Sequence, residues 1–496
     1  MGFLTDAYDM FVINLVVPML GIVYFDGKMP TSSNELLKSM TPIGTLLGQI
    51  IFGFMADKLG RKRMYGVELI IIIIATLASA MTGDTKRGIG IIPLLAFWRL
   101  ILGFGIGGDY PTSAVITSEF ATSNRRGLMI AAVFAMQGIG ILLGATVALL
   151  TILFFKSSIE NDPFMLDYVW RIIIGVGCIP ALGALYFRIT LPESPRYTAD
   201  VEGNHEEAIR NIKNIMEKTK EKVQPRYQNQ QKRTPNTWKN FRVHFGKLKH
   251  FKVLFGCSVC WFLLDIAFYG LTLNQSMVLD VVVNKIKKSP YETTWDQVKG
   301  NLIIAFLGSV PGYWFTVFLV EKMGRIKIQL MGFGLLTIIF ITLSVAYHQI
   351  TSRPALFLII YGAGQFFFNF GPNATTFILP AEVFPTRWRS TCHGLAAASG
   401  KLGAIIASAS FPSIAGDKNE NLRPLIGSLS IIMALGFCFT FLIPEPCGRT
   451  LEEISADYDD GDDSNEEGVS DIREEQNIPV TERIRMNNSS FIIEQS

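Results

Sequence analysis

About a dozen apolar runs, each near 20 residues, recur along this 496-residue chain, and nothing else restricts its fold as tightly. A run of that length spans the hydrocarbon core of a bilayer, where a helix satisfies its own backbone hydrogen bonds. Read with a window of about 19 residues, the runs fall at about 2–25, 37–56, 64–82, 91–117, 127–155, 169–190, 253–281, 298–320, 328–347, 354–379, 391–411 and 424–443. The sequence therefore predicts an all-α membrane protein whose twelve transmembrane helices contact the lipid bilayer. Only 18% of residues are charged and 36 are Phe, a balance rarely met in soluble domains.

Charge placement predicts orientation. Lys58, Arg61, Lys62 and Arg63 follow the second run, Arg125 and Arg126 the fourth, Lys322, Arg325 and Lys327 the eighth, and Arg387 and Arg389 the tenth. The long polar stretch after the sixth run is also rich in Lys and Arg. Loops of this kind stay in the cytoplasm, so both termini are expected there. The net charge of +3 is then a topological signal and implies no nucleic-acid partner. The first run starts at once, without a basic flank or a cleavable signal pattern, so a preceding cytoplasmic tail is expected. The end of the chain, from about residue 457, is acidic and poor in apolar residues, and is expected to be disordered.

Cys257 and Cys260 have a redox or metal spacing, but on an apolar helix with no second pair they read as packing residues. The five His are scattered, and no metal, cofactor or catalytic group is expected. Gly103-Phe-Gly105-Ile-Gly107-Gly108 fits a dinucleotide fingerprint only formally, since no strand precedes it. Small residues that let helices pack closely explain it better.

One acid stands out. Trp261, Asp265 and Tyr269 are spaced i, i+4, i+8 within an apolar run, so a helix places all three on one face. A carboxyl at bilayer depth is costly unless it faces a cavity or a partner, and by default it marks a substrate or proton path. The plainer reading is a structural Asp paired with Lys401 or another helix.

The chain also repeats itself. Asp57-Lys58-Leu-Gly60-Arg61 after the second run matches Glu321-Lys322-Met-Gly324-Arg325 after the eighth, an offset of 321 − 57 = 264. Glu119…Arg126 after the fourth matches Glu382…Arg389 after the tenth, an offset of 382 − 119 = 263. Two parallel six-helix halves joined by a long polar loop resemble the major facilitator superfamily. That resemblance implies halves at 1–190 and 253–443, a cytoplasmic linker at 191–252 and a cytoplasmic tail at 444–496. It also implies that Asp57, Arg61, Glu119, Arg126, Glu382 and Arg389 act as gate and charge partners at the cytoplasmic mouth. Pro192-Glu193-Ser194-Pro195-Arg196 and Pro444-Glu445-Pro446-Cys447-Gly448-Arg449 resemble the sugar-porter branch. Relatives usually read Pro-Glu-Thr-Lys-Gly where this chain has Pro446-Cys447, which puts the second latch in question.

Three segments are more specific. Gly107-Gly108-Asp109-Tyr110-Pro111-Thr112-Ser113, Trp261…Asp265…Tyr269, and Gly371-Pro372-Asn373-Ala374-Thr375 resemble eukaryotic proton-coupled inorganic phosphate permeases. The resemblance implies a secondary active transporter in the plasma membrane that imports phosphate by proton symport, with arsenate competing. Its phosphate pocket would be Tyr110, Gln137, Trp261, Asp265, Tyr269 and Asn373. Its proton route would run through Asp6, Asp109 and Asp265, with Asp9 and Glu68 as further candidates and Arg99 as a charge partner. Hydroxyl, indole and amide donors hold an oxyanion without the fork of an Arg, which suits an ion that must leave again. Lys401 either attracts the anion, balances an acid or snorkels to the interface. Two rivals are a glycerophosphodiester permease and a phosphate sensor with little flux.

Overall fold

The computed structural model describes residues 2–27, 29–83, 90–190, 198, 238–280, 289–416, 420–451 and 453. The Pro192–Tyr197 motif and the acidic end of the chain lie outside these residues. Among the described residues, twelve spans are long and apolar enough to cross a membrane: span 1 Gly2–Tyr24, span 2 Thr31–Leu59, span 3 Arg61–Ala80, span 4 Ile91–Phe120, span 5 Arg126–Phe154 and span 6 Pro163–Thr190. The second six are span 7 Leu248–Thr272, span 8 Pro290–Met323, span 9 Arg325–Val345, span 10 Pro354–Val383, span 11 Thr386–Ala415 and span 12 Leu422–Thr440. Large apolar side chains such as Phe154, Ile179, Phe318 and Ile359 point outward, as a lipid-facing surface requires.

The halves meet mainly along spans 2 and 11 and spans 5 and 8, two pairs that the six-helix repeat exchanges. Glycine sets the approach of spans 2 and 11: a side chain on Gly394 would run into the Gln49 carbonyl, and one on Gly53 into the Ser390 carbonyl. Inside the first half, Gly44, Gly48, Gly103 and Gly107 bring spans 2 and 4 together in the same way, so the glycine run is a packing device. Gly60 and Gly324 turn the chain between spans 2 and 3 and between spans 8 and 9, with φ of 101° and 85°. That left-handed region suits glycine, and the two turns are one repeat apart, 324 − 60 = 264.

Helix irregularities fall beside the molecular midline. Span 8 carries a π-helical turn at Ala305–Ser309, just before Tyr313. Span 10 breaks after Asn369 and resumes at Pro372, because Gly371 is extended and Pro372 has no N–H for the ladder. Span 7 ends at Thr272, earlier than its apolar run predicts. There the Asn274 amide donates to the Gly270 carbonyl at 2.9 Å, a local bond that competes with helix continuation. Before span 7, a short helix Trp238–Gly246 packs Phe241 and Phe245 against Trp388. His244 on that helix stacks on His250, and burial together with the neighbouring imidazole lowers its pKa to about 3.

Candidate functional site

Spans 4, 5, 7, 8, 10 and 11 converge at the midline on a cluster of buried polar side chains. Trp261, Asp265 and Tyr269 do share one face of span 7 and are at most 2% exposed. Lys401 reaches them from span 11, donating to Asp265 Oδ2 and to the Tyr269 hydroxyl, each at 2.8 Å. Its ammonium also lies 4.2 Å from the Tyr269 ring centroid and 5.1 Å from that of Tyr110. Lys401 is 1% exposed and tied to Asp265, so it turns inward instead of snorkelling outward. The other Asp265 oxygen, Oδ1, accepts no hydrogen bond.

A chain of neutral donors faces this pair. Gln137 donates to the Tyr110 hydroxyl at 2.6 Å, and Tyr313 donates to Gln137 Oε1 at 3.1 Å. Asn373 donates to the Tyr313 hydroxyl at 2.9 Å and to Asn369 Oδ1 at 2.7 Å. The walls are aromatic: Phe377 stacks on Phe134 at 4.5 Å and meets the Trp261 ring edge-on at 6.4 Å. The six residues expected to hold substrate are therefore neighbours in space.

The first half has its own charge cluster. Arg188 of span 6 donates to Glu68 Oε1 at 2.9 Å and to Asp109 Oδ2 at 2.5 Å. Ser113 also donates to Asp109, and Thr112 to Glu68. Asp6 faces the Asp109 carboxyl and accepts no hydrogen bond. Two carboxyls in contact can bond only when one carries a proton. Asp9 belongs elsewhere: it accepts from Thr76 at 2.8 Å, beside Arg99, whose guanidinium donates to the carbonyls of Asp9 and Met10. Arg99 thus ties down the middle of span 1.

At the end carrying the basic loops, each half caps a helix of the other. Asp57 accepts from the Thr391 backbone at 2.7 Å and from its hydroxyl at 2.8 Å. Glu321 accepts from the Leu128 backbone at 3.0 Å, the equivalent position, 391 − 128 = 263. Arg61 pairs with Asp57 at 3.1 Å and Glu119 at 3.3 Å, with Arg389 at 3.6 Å from Glu119. Arg325 pairs with Glu321 at 2.7 Å and Glu382 at 2.8 Å. Arg126 donates to the Arg449 carbonyl at 3.4 Å. Acids at helix N-termini are favoured by the dipole and the free N–H groups. Beside Cys447, Glu445 accepts from the backbones of Arg325 and Ile326 at 3.1 and 2.9 Å, capping the start of span 9.

The opposite end is also bridged. Asn14 donates to Asn301 at 2.9 Å, Ser276 to the Asn14 carbonyl at 3.1 Å and Lys38 to Asn274 at 2.9 Å. Bonds across the halves above and below the midline describe an occluded arrangement.

The description "Sugar (and other) transporter" matches residues 1–458. The chain belongs to this family of the major facilitator superfamily. Among its relatives, the transporter is 45% identical to a repressible high-affinity phosphate permease of Neurospora crassa, over 92% of this chain and 85% of the relative. It is 42% identical to the inorganic phosphate transporter PHO84 of Saccharomyces cerevisiae, over 92% of this chain and 83% of the relative. The fold matches the proton:xylose symporter XylE with a TM-score of 0.72 and 21% identity, covering 92% of this chain and 97% of that one.

Within the transporter, three polar residues were missed by sequence reasoning. Arg188 sits near the basic end of span 6, where an Arg reads as a topological charge. Tyr313 and Asn369 are uncharged and lie in aromatic-rich segments. The only available signals were the Pro311-Gly312-Tyr313 interruption of span 8 and the i, i+4 spacing of Asn369 and Asn373.

Proposed function

We propose that this transporter imports inorganic phosphate together with protons, by alternating access around the midline site. The observation that carries the reading is the one-to-one buried pair of Asp265 and Lys401, set among neutral donors from both halves. With Asp265 ionised the pair is neutral and repels nothing, but it also offers an anion nothing. A proton on Asp265 frees the Lys401 charge and turns the carboxyl into a donor, so the site gains one positive charge to match a phosphate monoanion. Proton and phosphate then favour each other's binding, which is the linkage that symport needs. Tyr110, Gln137, Tyr313 and Asn373 would exchange their mutual bonds for phosphate oxygens at little cost. The relatives named as phosphate permeases and transporters support phosphate as the substrate.

In this cycle residues 1–190 and 253–443 rock against each other, joined by the linker at 191–252. The Asp57 and Glu321 caps close the cytoplasmic mouth of a plasma-membrane protein whose termini both lie in the cytoplasm. Asp6, Glu68 and Asp109, gathered by Arg188, provide a second proton-holding group. The test is uptake of radiolabelled phosphate into proteoliposomes with and without an inward proton gradient. Stimulation by the gradient and competition by arsenate are expected. No phosphate flux by folded protein, or stronger competition by glycerophosphodiesters than by phosphate, contradicts the reading.

A further inference from the structure

We propose that Lys38 forms an outer docking site for a small oxyanion, which the ion occupies before it reaches the midline. The proposal rests on the phosphate reading above and adds a second place along the path. Lys38 lies in span 2 and is 4% exposed. Its ammonium donates to Asn274 Oδ1 at 2.9 Å, and among the described residues no carboxylate pairs with it. The contrast with Lys401 is direct: one buried lysine has a carboxylate partner, the other only a neutral amide. A buried ammonium without a counter-charge is costly to keep, and it is well placed for an anion that comes and goes.

The surroundings fit such an ion. Lys38 lines a cavity of about 590 Å³ at the end opposite the basic loops, the side from which phosphate enters on the proposed orientation. Asn34, one helical turn before Lys38, borders the same cavity and has a buried Oδ1 that accepts no hydrogen bond. A phosphate monoanion carries both charged oxygens for the ammonium and P–OH donors for that amide oxygen. Asn14, Ser276 and Gln297 add polar lining from both halves. Asp26 and Asp280 also border the cavity, but both are exposed at its mouth, where water and salt screen them. A buried cation below a screened rim draws an anion inward.

Initial rates of gradient-driven phosphate uptake, measured against concentration at low ionic strength, test the site with Lys38→Gln, Lys38→Arg and Asn274→Ala. Lys38→Gln keeps a donor but loses the charge, and its apparent KM should rise about tenfold with little change in maximal rate. Lys38→Arg should retain the wild-type KM. Asn274→Ala removes the tie to the second half yet leaves the charge, so its KM should not rise. A wild-type KM in Lys38→Gln, or an equal rise in Asn274→Ala, would overturn the proposal and leave Lys38 as a structural tie. A second readout does not depend on transport: inorganic phosphate should raise the unfolding temperature of Asp265→Asn/Lys401→Met, in which the midline cation is gone, and adding Lys38→Gln should remove that shift. If wild type shows no uptake at all, the phosphate-symport reading fails while the thermal shift still decides the Lys38 site.

Discussion

The two halves bury charge in different proportions. In the first, Glu68 and Asp109 share Arg188 at 2.9 and 2.5 Å, with Asp6 alongside, so three carboxyls meet one guanidinium. In the second, Asp265 and Lys401 match one to one at 2.8 Å. A surplus of acid away from water is relieved only by protons, whereas a matched pair is neutral as it stands. The contrast points to separate tasks in the proposed cycle: the first half stores protons, and the second uses one proton to expose a cation to the substrate.

The strongest way to break the contrast is to unbalance the matched side. Asp265→Asn leaves Lys401 buried and unpaired, which should cost about 3–5 kcal/mol of stability. Gradient-driven phosphate uptake by this variant should be lost, because position 265 can no longer take up and release the coupled proton. Adding Lys401→Met should recover thermal stability without recovering gradient-driven uptake, and unfolding curves read beside uptake separate the two effects. Arg188→Gln attacks the other side by leaving three carboxyls without a cation. Protons should then be held rather than cycled, so accumulation driven by the gradient is lost while phosphate exchange at equal pH survives. Retained accumulation would erase the proposed division between halves. The smallest effect is expected from Tyr313→Phe, which removes one hydroxyl between Gln137 and Asn373. The loss of about 1–2 kcal/mol should raise KM roughly tenfold, as concentration-dependent uptake would show.

Much of this was legible in the sequence. The spans declare themselves because twenty apolar residues in a row have few other uses, and the paired charge clusters declare themselves because Asp57, Arg61 and Glu119 recur as Glu321, Arg325 and Glu382. The face bearing Trp261, Asp265 and Tyr269 followed from helical spacing alone. What stayed hidden depends on partners distant in sequence. Arg188 finds Glu68 and Asp109 only after spans 3, 4 and 6 pack. Lys38 stands at the edge of the 37–56 run, next to Ser32, Ser33, Asn34 and Glu35, where a lysine reads as an interfacial charge, yet the helix begins at Thr31 and carries it into the interior. Span 7 ended early because of one side-chain bond from Asn274, a choice that apolar content cannot express.

The central claim, that a proton on Asp265 and a phosphate monoanion bind together, is tested most directly by phosphate affinity as a function of pH in purified wild type and Asp265→Asn. The account predicts that wild-type affinity rises on acidification, by up to roughly tenfold per pH unit for one linked proton, and that the variant loses that proton's share of the slope. An identical slope in the two proteins would contradict it.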